Sequence, residues 1–349
     1  MAQFQRGIKA LRRPIVFDYK CSLLLHPSPQ QGRPLGNREP NQIRPVRDES
    51  PLKRVTRAGL GQLPFAVGIA GPARDRLLGL MDRLFPADHR GELERITTVD
   101  GRRFELALDS PNQRLMSYFY GNLIRHYRRT DFYAVLQTCW ETAAAKDLSR
   151  PPVFVDVGAN LGIYCLLAGE LGFETVAVEA EPVHSAFLER HGDLFGTVCA
   201  VAAGDVAGAA DFFVALENPG ASSLVFEKND VASSSIYEER VQVSVKRLDE
   251  LFNTLPHDPS AIELLKIDVE GHEESVVRGL SGFFDAGHRP AIWCEVRGPQ
   301  SGRAPSSHRE VAEFLATYGY RPYRFDKTPR PFDADSDVPQ VFDLLFTTP

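Results

Sequence analysis

The run Val153-Phe-Val-Asp-Val-Gly-Ala-Asn-Leu-Gly162 constrains this chain more than any other. Five residues, four of them apolar, lead straight into two glycines. A short apolar run followed by a glycine turn predicts a buried parallel strand that enters a helix. Glycines at such a turn take backbone angles that other residues resist, and they let the chain approach a neighbour closely. The spacing is Asp-x-Gly-x-x-x-Gly, with Asp156 at the strand end and Gly158, Asn160 and Gly162 in the turn. It is not the Gly-x-Gly-x-x-Gly spacing that cradles a dinucleotide pyrophosphate. A glycine loop beside a carboxylate suits a ligand with a cationic or neutral head better than a pyrophosphate.

Helical spacing of Ile163, Leu166, Leu167 and Leu171 continues the pattern, and Gly172 is placed to end the helix. A second strand, Glu174–Glu179, ends on an acid. A carboxylate at the second strand tip of a βαβ unit can accept hydrogen bonds from both hydroxyls of an adenosine ribose. Glu179 is the candidate and Glu181 its neighbour competitor. The bland alternative for Glu179 is a charge at the start of the next helix. A third strand is expected at Thr197–Ala202, leading to Asp205, where an adenine amino group would lie. S-Adenosylmethionine (SAM) fits this set of partners.

The second informative block is Ile262-Glu-Leu-Leu-Lys-Ile-Asp-Val-Glu-Gly271. Leu264, Leu265, Ile267 and Val269 predict a buried strand, and Lys266, Asp268 and Glu270 alternate along its end, which aims them at one face. Charges are rare in buried strands unless they are paired or functional. Gly271 then turns the chain into a helix carrying Val276, Val277, Leu280, Phe283 and Phe284. A fifth strand, Ala291–Val296, brings Glu295 to the same edge. Asp268, with Lys266, Glu270 and Glu295, forms the candidate catalytic group; an ion-pair cluster is the structural alternative. Carboxylates at one edge could hold Mg²⁺ with waters, but no dedicated ligand spacing supports it, so no metal is expected.

These blocks resemble the FkbM family of SAM-dependent methyltransferases. The carrying residues are Asp156–Gly162, Glu179-Ala-Glu-Pro182, Ser222-Ser-Leu224, Arg247-Leu-Asp-Glu-Leu251 and Leu265–Gly271, in order across roughly residues 100–347. The resemblance implies a Rossmann-like, seven-stranded class I methyltransferase sheet, α/β, with helices on both faces. It also implies O-methyl transfer to a hydroxyl of a sugar, glycan or polyketide-like small molecule. His272 and Glu181 depart from the family's usual residues, which leaves the acceptor open. A nicotinamide oxidoreductase is disfavoured, because the third glycine and a Tyr-x-x-x-Lys pair are missing. A non-catalytic binding module in a biosynthetic complex is the other alternative. It gives no physical reason to keep Asp156, Glu179, Lys266 and Asp268 as charges.

Composition bounds the rest. At 349 residues the chain can bury a large core. Net charge −6 argues against nucleic acid as main partner. The charge is uneven: residues 1–60 hold 12 Lys and Arg against 4 Asp and Glu, with seven prolines. That segment reads as a basic, disordered arm, able to make peripheral membrane contact. Residues 61–149 read as a helical and strand lead over the core, with a helix around Leu77–Leu84 and a strand around Phe104–Leu108. Tyr118, Phe119, Tyr120, Tyr127, Phe132 and Tyr133 cluster there, chiefly as core aromatics. Residues 150–349 are the methyltransferase domain, with a strand-pair insertion at Ala209–Val245 that would cover the site. A helix at Val311–Tyr318 and strands at Tyr320–Phe325 and Val341–Phe346 close the sheet. Five cysteines without paired spacing fit a reducing compartment. With no apolar run long enough to span a bilayer, a cytoplasmic location is the default expectation.

Overall fold

The computed structural model describes residues 93–97, 103–107, 127–128, 130–146, 150–214, 222–224, 239–298, 308–326, 328–333, 339 and 341–349. The basic arm and the helix expected around Leu77–Leu84 lie outside these residues. Two short strands, β1 (Leu93–Thr97) and β2 (Arg103–Ala107), pair antiparallel. Helix α1 (Asp131–Lys146) follows and buries Phe132, Val135, Leu136 and Cys139.

The core begins with β3 (Val153–Val157), all five residues of which are buried. Helix α2 (Ile163–Leu171) ends at Gly172, whose φ of 103° is left-handed. Phe173 N–H then reaches back to the Ala168 carbonyl at 3.1 Å, the glycine stop expected of this helix. Strand β4 (Glu174–Val178), α3 (Pro182–Arg190), α4 (Gly192–Phe195) and β5 (Thr197–Cys199) complete one half. Proline at the first helical position of α3 needs no amide partner.

The chain then leaves the sheet. Strand β6 (Ala202–Ala203), β7 (Gly208–Val214) and β8 (Glu239–Lys246) form a separate three-stranded sheet in the order β6-β8-β7. It returns through α5 (Leu248–Phe252) to β9 (Ile262–Ile267) on the opposite side of β3. Next come α6 (Glu273–Arg278), α7 (Ser281–Asp285), β10 (Ala291–Arg297) and α8 (His308–Thr317). Strands β11 (Arg321–Asp326), β12 (Thr328–Pro331) and β13 (Val341–Thr347) are the last elements.

The main sheet runs β12-β11-β13-β10-β9-β3-β4-β5. Strands β10, β9, β3, β4 and β5 are parallel, and β13, β11 and β12 close the edge antiparallel. One apolar cluster lies between the sheet and α1, α2, α3 and α4, and a second between the sheet and α5, α6, α7 and α8. The architecture is therefore a Rossmann-like α/β sheet with helices on both faces.

Three expectations are corrected. The sheet has eight strands, because Thr328–Pro331 adds an edge strand through a tight antiparallel pair that its two prolines hid. The third strand is split: Thr197–Cys199 pairs with β4, while Ala202–Ala203 pairs with β8 in the other sheet. The helix after Gly271 is two short helices. Strand order reverses between β3 and β9, and in open parallel sheets ligands bind at the carboxyl ends of the strands flanking such a reversal.

Candidate active site

A cleft opens at that reversal, lined by residues at the ends of β3, β4 and β9 and by the three-stranded sheet. Its floor is the turn after β3. Gly158 (φ 82°) and Asn160 (φ 51°) both take left-handed angles. The N–H groups of Gly158 and Ala159 both donate to the Val178 carbonyl, at 2.9 and 3.1 Å, which ties the turn to β4. A side chain at Gly158 would place its Cβ 1.9 Å from the Asp268 carbonyl oxygen. Glycine is thus required by the neighbouring chain, in addition to any ligand.

Glu179 lines the cleft at the tip of β4 and is buried. Its two oxygens each accept a backbone N–H, from Asn160 at 2.6 Å and from Glu181 at 2.8 Å. Each oxygen keeps a lone pair for a further donor. Burial pushes the Glu179 carboxyl up, against the pull of His184 and the two amides. Beside it, buried Asn160 Oδ1 has no hydrogen-bond partner among the described residues. Val178, Ala180, Val201 and Ala202 supply an apolar wall. A buried acceptor without a donor, an anchored carboxylate and an aliphatic wall fit a nucleoside: ribose hydroxyls to the acid, a flat base to the wall.

On the other flank, Lys266 is buried and its Nζ lies 3.0 Å from Asp268 Oδ2 and 3.4 Å from Asp156 Oδ1. It also sits 4.5 Å from the Tyr164 ring centre. Burial alone would lower the Lys266 pKa, but Asp268 and Asp156 outweigh it and hold the ammonium charged. Burial pushes Asp156 up to about 6 despite the lysine. Asp268 is 31% exposed and lines the cleft, so of this trio it is the member a ligand can reach.

Asp268, Glu270 and Glu295 bring carboxylate oxygens within 4.8 Å of one another. They do so by an irregular route. β9 ends at Ile267, and Glu270 has a φ of 56°, so the alternation that would aim Lys266, Asp268 and Glu270 together breaks after Asp268. Glu270 turns instead to Arg297, at 2.5 Å. Glu295 is pushed up to about 9 by burial and by Asp268 and Glu270. Arg297 opposes this, but from 3.7 Å, with its shorter contact spent on Glu270. Burial and the two neighbouring acids thus favour the protonated form of Glu295.

Of the residues picked from sequence, Gly158, Asn160, Glu179, Asp268 and Glu270 line the cleft together. Asp156 and Lys266 sit beneath it as a buried pair. Gly162 does not reach it: a Cβ there would meet Phe195 at 2.6 Å and Leu188 at 2.7 Å, so this glycine serves helix packing. Asp205 is also absent from the lining. Its carboxylate accepts from Ser275 Oγ at 2.7 Å on the exposed side of α6, because the chain bends out of the main sheet after Cys199. Sequence reasoning did not pick His184 or His272 as lining residues, whereas Phe212, Ser222 and Leu224 lie in the insertion expected to cover the site. The only signal for His184 was its place three residues after Glu181 on a helix start. Ser223 Oγ donates to the Glu270 carbonyl at 2.9 Å, which draws the insertion over the cleft.

Residues 156–322 match the model of the methyltransferase FkbM domain. The chain is 27% identical over 164 residues to Methyltransferase 1 of Beauveria bassiana (strain ARSEF 2860), a match covering 42% of this chain and 64% of that protein. Among solved structures it is similar to the bifunctional kinase-methyltransferase WbdD, at 16% identity and a TM-score of 0.33, over 61% of this chain and 38% of that one. It is also similar to magnesium protoporphyrin IX methyltransferase from Synechocystis PCC 6803 with bound SAM, at 10% identity and a TM-score of 0.32, over 68% and 96%. The family match runs from the end of β3 to the start of β11 and takes in the strand ends that form the cleft, so residues 156–322 carry a methyltransferase FkbM domain.

Proposed function

We propose that this protein transfers the methyl group of SAM to a hydroxyl oxygen of a small molecule, a sugar, glycan or polyketide-like acceptor. The observation that carries the reading is the pairing, across one cleft, of a buried carboxylate anchored for ribose and a half-open carboxylate anchored by a lysine. When bound, SAM supplies a methyl carbon already activated by its sulfonium. The protein's tasks are then position and proton removal. Glu179 accepts the ribose hydroxyls, and Asn160 Oδ1 takes a further donor. Asp268 would accept the proton of the acceptor hydroxyl as its oxygen takes the methyl carbon and the carbon–sulfur bond breaks to leave neutral S-adenosylhomocysteine, and it would release that proton to solvent through its exposed side. Lys266 holds the Asp268 carboxylate in place. The sugar or polyketide class of the acceptor rests on the family likeness.

The test is incubation of the full chain with methyl-labelled SAM and fractionated small-molecule extract, followed by identification of the labelled product. A label on oxygen is expected; a label on nitrogen or carbon defeats the hydroxyl assignment. With the acceptor in hand, Asp268→Asn should lower turnover by about 10²–10⁴ while SAM affinity changes little. Near-parental turnover would remove Asp268 from the proton path.

A further inference from the structure

Three titratable side chains share the ribose corner of the cleft, and water reaches none of them freely. Glu179 is 6% exposed, Glu181 5% and His184 4%. His184 stands in the first turn of α3, and its Nδ1 lies 2.6 Å from Glu181 Oε2. Glu181 in turn offers its backbone N–H to Glu179 Oε1. The other ionisable groups around the corner are Asp156 beneath it and Asp268, Glu270 and His272 across the cleft. Burial lowers His272 toward its neutral form. Lys266 is committed to Asp156 and Asp268. Among the described residues, His184 is the cation that faces Glu179.

We propose that His184 is a positioning residue for the ribose-binding carboxylate: held by Glu181, its imidazolium keeps Glu179 anionic in a corner too dry to keep that charge alone. The proposal rests on reading the cleft as a nucleoside site. A carboxylate that must accept two hydroxyl protons works only when ionised. Burial favours its protonated form, and the like charge of Glu181 does the same. Glu181 answers that problem by binding an imidazole. Burial would lower the His184 pKa, yet the Glu181 contact at 2.6 Å outweighs it and favours the charged ring. The sign follows. Ligand affinity falls as pH drops through the Glu179 pKa, and loss of His184 moves that acid limb to higher pH.

The experiment is calorimetric titration of the full chain with S-adenosylhomocysteine from pH 5 to 8.5. For His184→Gln, affinity at pH 6 should fall about tenfold below wild type, with near-wild-type affinity at pH 8.5. The double variant Glu181→Gln with His184→Gln removes both charges and should return the acid limb toward wild type. Uniform weakening of His184→Gln at all pH values, or an unmoved limb, overturns the proposal and leaves the nucleoside reading intact. Absence of binding by wild type at every pH overturns the nucleoside reading and the proposal with it. A ligand-free measurement guards against a variant that folds badly. Proton NMR of the His184 ring in wild type should titrate above 6.5 and shift down in Glu181→Gln; a ring already neutral at pH 6 overturns the proposal.

Discussion

Lys266 shows how a single residue joins stability to the candidate chemistry. It bridges Asp156, which is fully buried, and Asp268, which is not. Removing one partner from a buried ion network leaves charge without compensation, which costs about 3–5 kcal/mol. Lys266→Met should therefore lose stability of that order at pH 8. The loss should shrink as pH falls. Without the lysine, the Asp156 pKa lies still further above its unfolded value near 4, so the penalty is absent below that value and complete above the folded one. Denaturant melts of both proteins from pH 4.5 to 8 read this directly. A pH-independent difference would mean that packing against Tyr164, and not charge, is what the lysine provides. At this scale the sequence was legible where chemistry is local. Glu179 and Asp268 stood out as acids at strand ends, and both line the cleft. Asp205 stood out for the same reason and does not line it, because its place depends on a change of sheet that no local pattern records.

Elements were legible where one period ran unbroken. β3, α2 and β4 follow the apolar spacing and their glycine stops closely. The segment after β9 was harder, since Glu270 adopts a left-handed φ that alternation does not foresee. The turn between β3 and α2 gives a contrast that separates two uses of glycine. At Gly158 a Cβ would meet the Asp268 carbonyl oxygen at 1.9 Å, with φ at 82°. At Gly169, within α2, a Cβ meets nothing within 4 Å. Gly158→Ala should cost at least about 2 kcal/mol, because the turn must move off the β9 extension or strain its backbone. Gly169→Ala should add about 0.5–1 kcal/mol by restricting the unfolded chain and favouring helix. Thermal melts of the two variants should move in opposite directions. A neutral Gly158→Ala would mean the turn relaxes at no cost.

The whole molecule was least legible in its layout. The alternation of strands and helices foretold a parallel sheet with two covered faces, but not which strand edges would pair. Nothing local in Ala202–Ala203 says that it leaves the main sheet, and the β11–β12 pair hides behind prolines. The proposed division of the chain at residues 60 and 149 can be weighed by what the core uses. The main sheet is built from residue 153 onward, and the lining residues run from Val157 to His272. Helix α1 is a further part of that core. Its Phe132 packs edge-on against Trp293 at 5.6 Å and tilted against Phe154 at 6.0 Å, and it buries Val135, Leu136 and Cys139 with them. A chain of residues 61–349 keeps every one of these contacts, while a chain of residues 150–349 loses one of the four helices that cover one face of the sheet. Burying a large apolar side chain contributes about 1.5–3 kcal/mol, so loss of Phe132, Val135 and Leu136 alone approaches the whole margin of a folded domain. The longer piece should melt cooperatively and bind S-adenosylhomocysteine with the affinity of the full chain. The shorter piece should be insoluble or unfold without a cooperative transition. If residues 61–349 fail to fold, the basic segment packs on the core and the boundary at residue 60 is wrong; if residues 150–349 fold and bind normally, α1 is an accessory to the sheet and not part of its core.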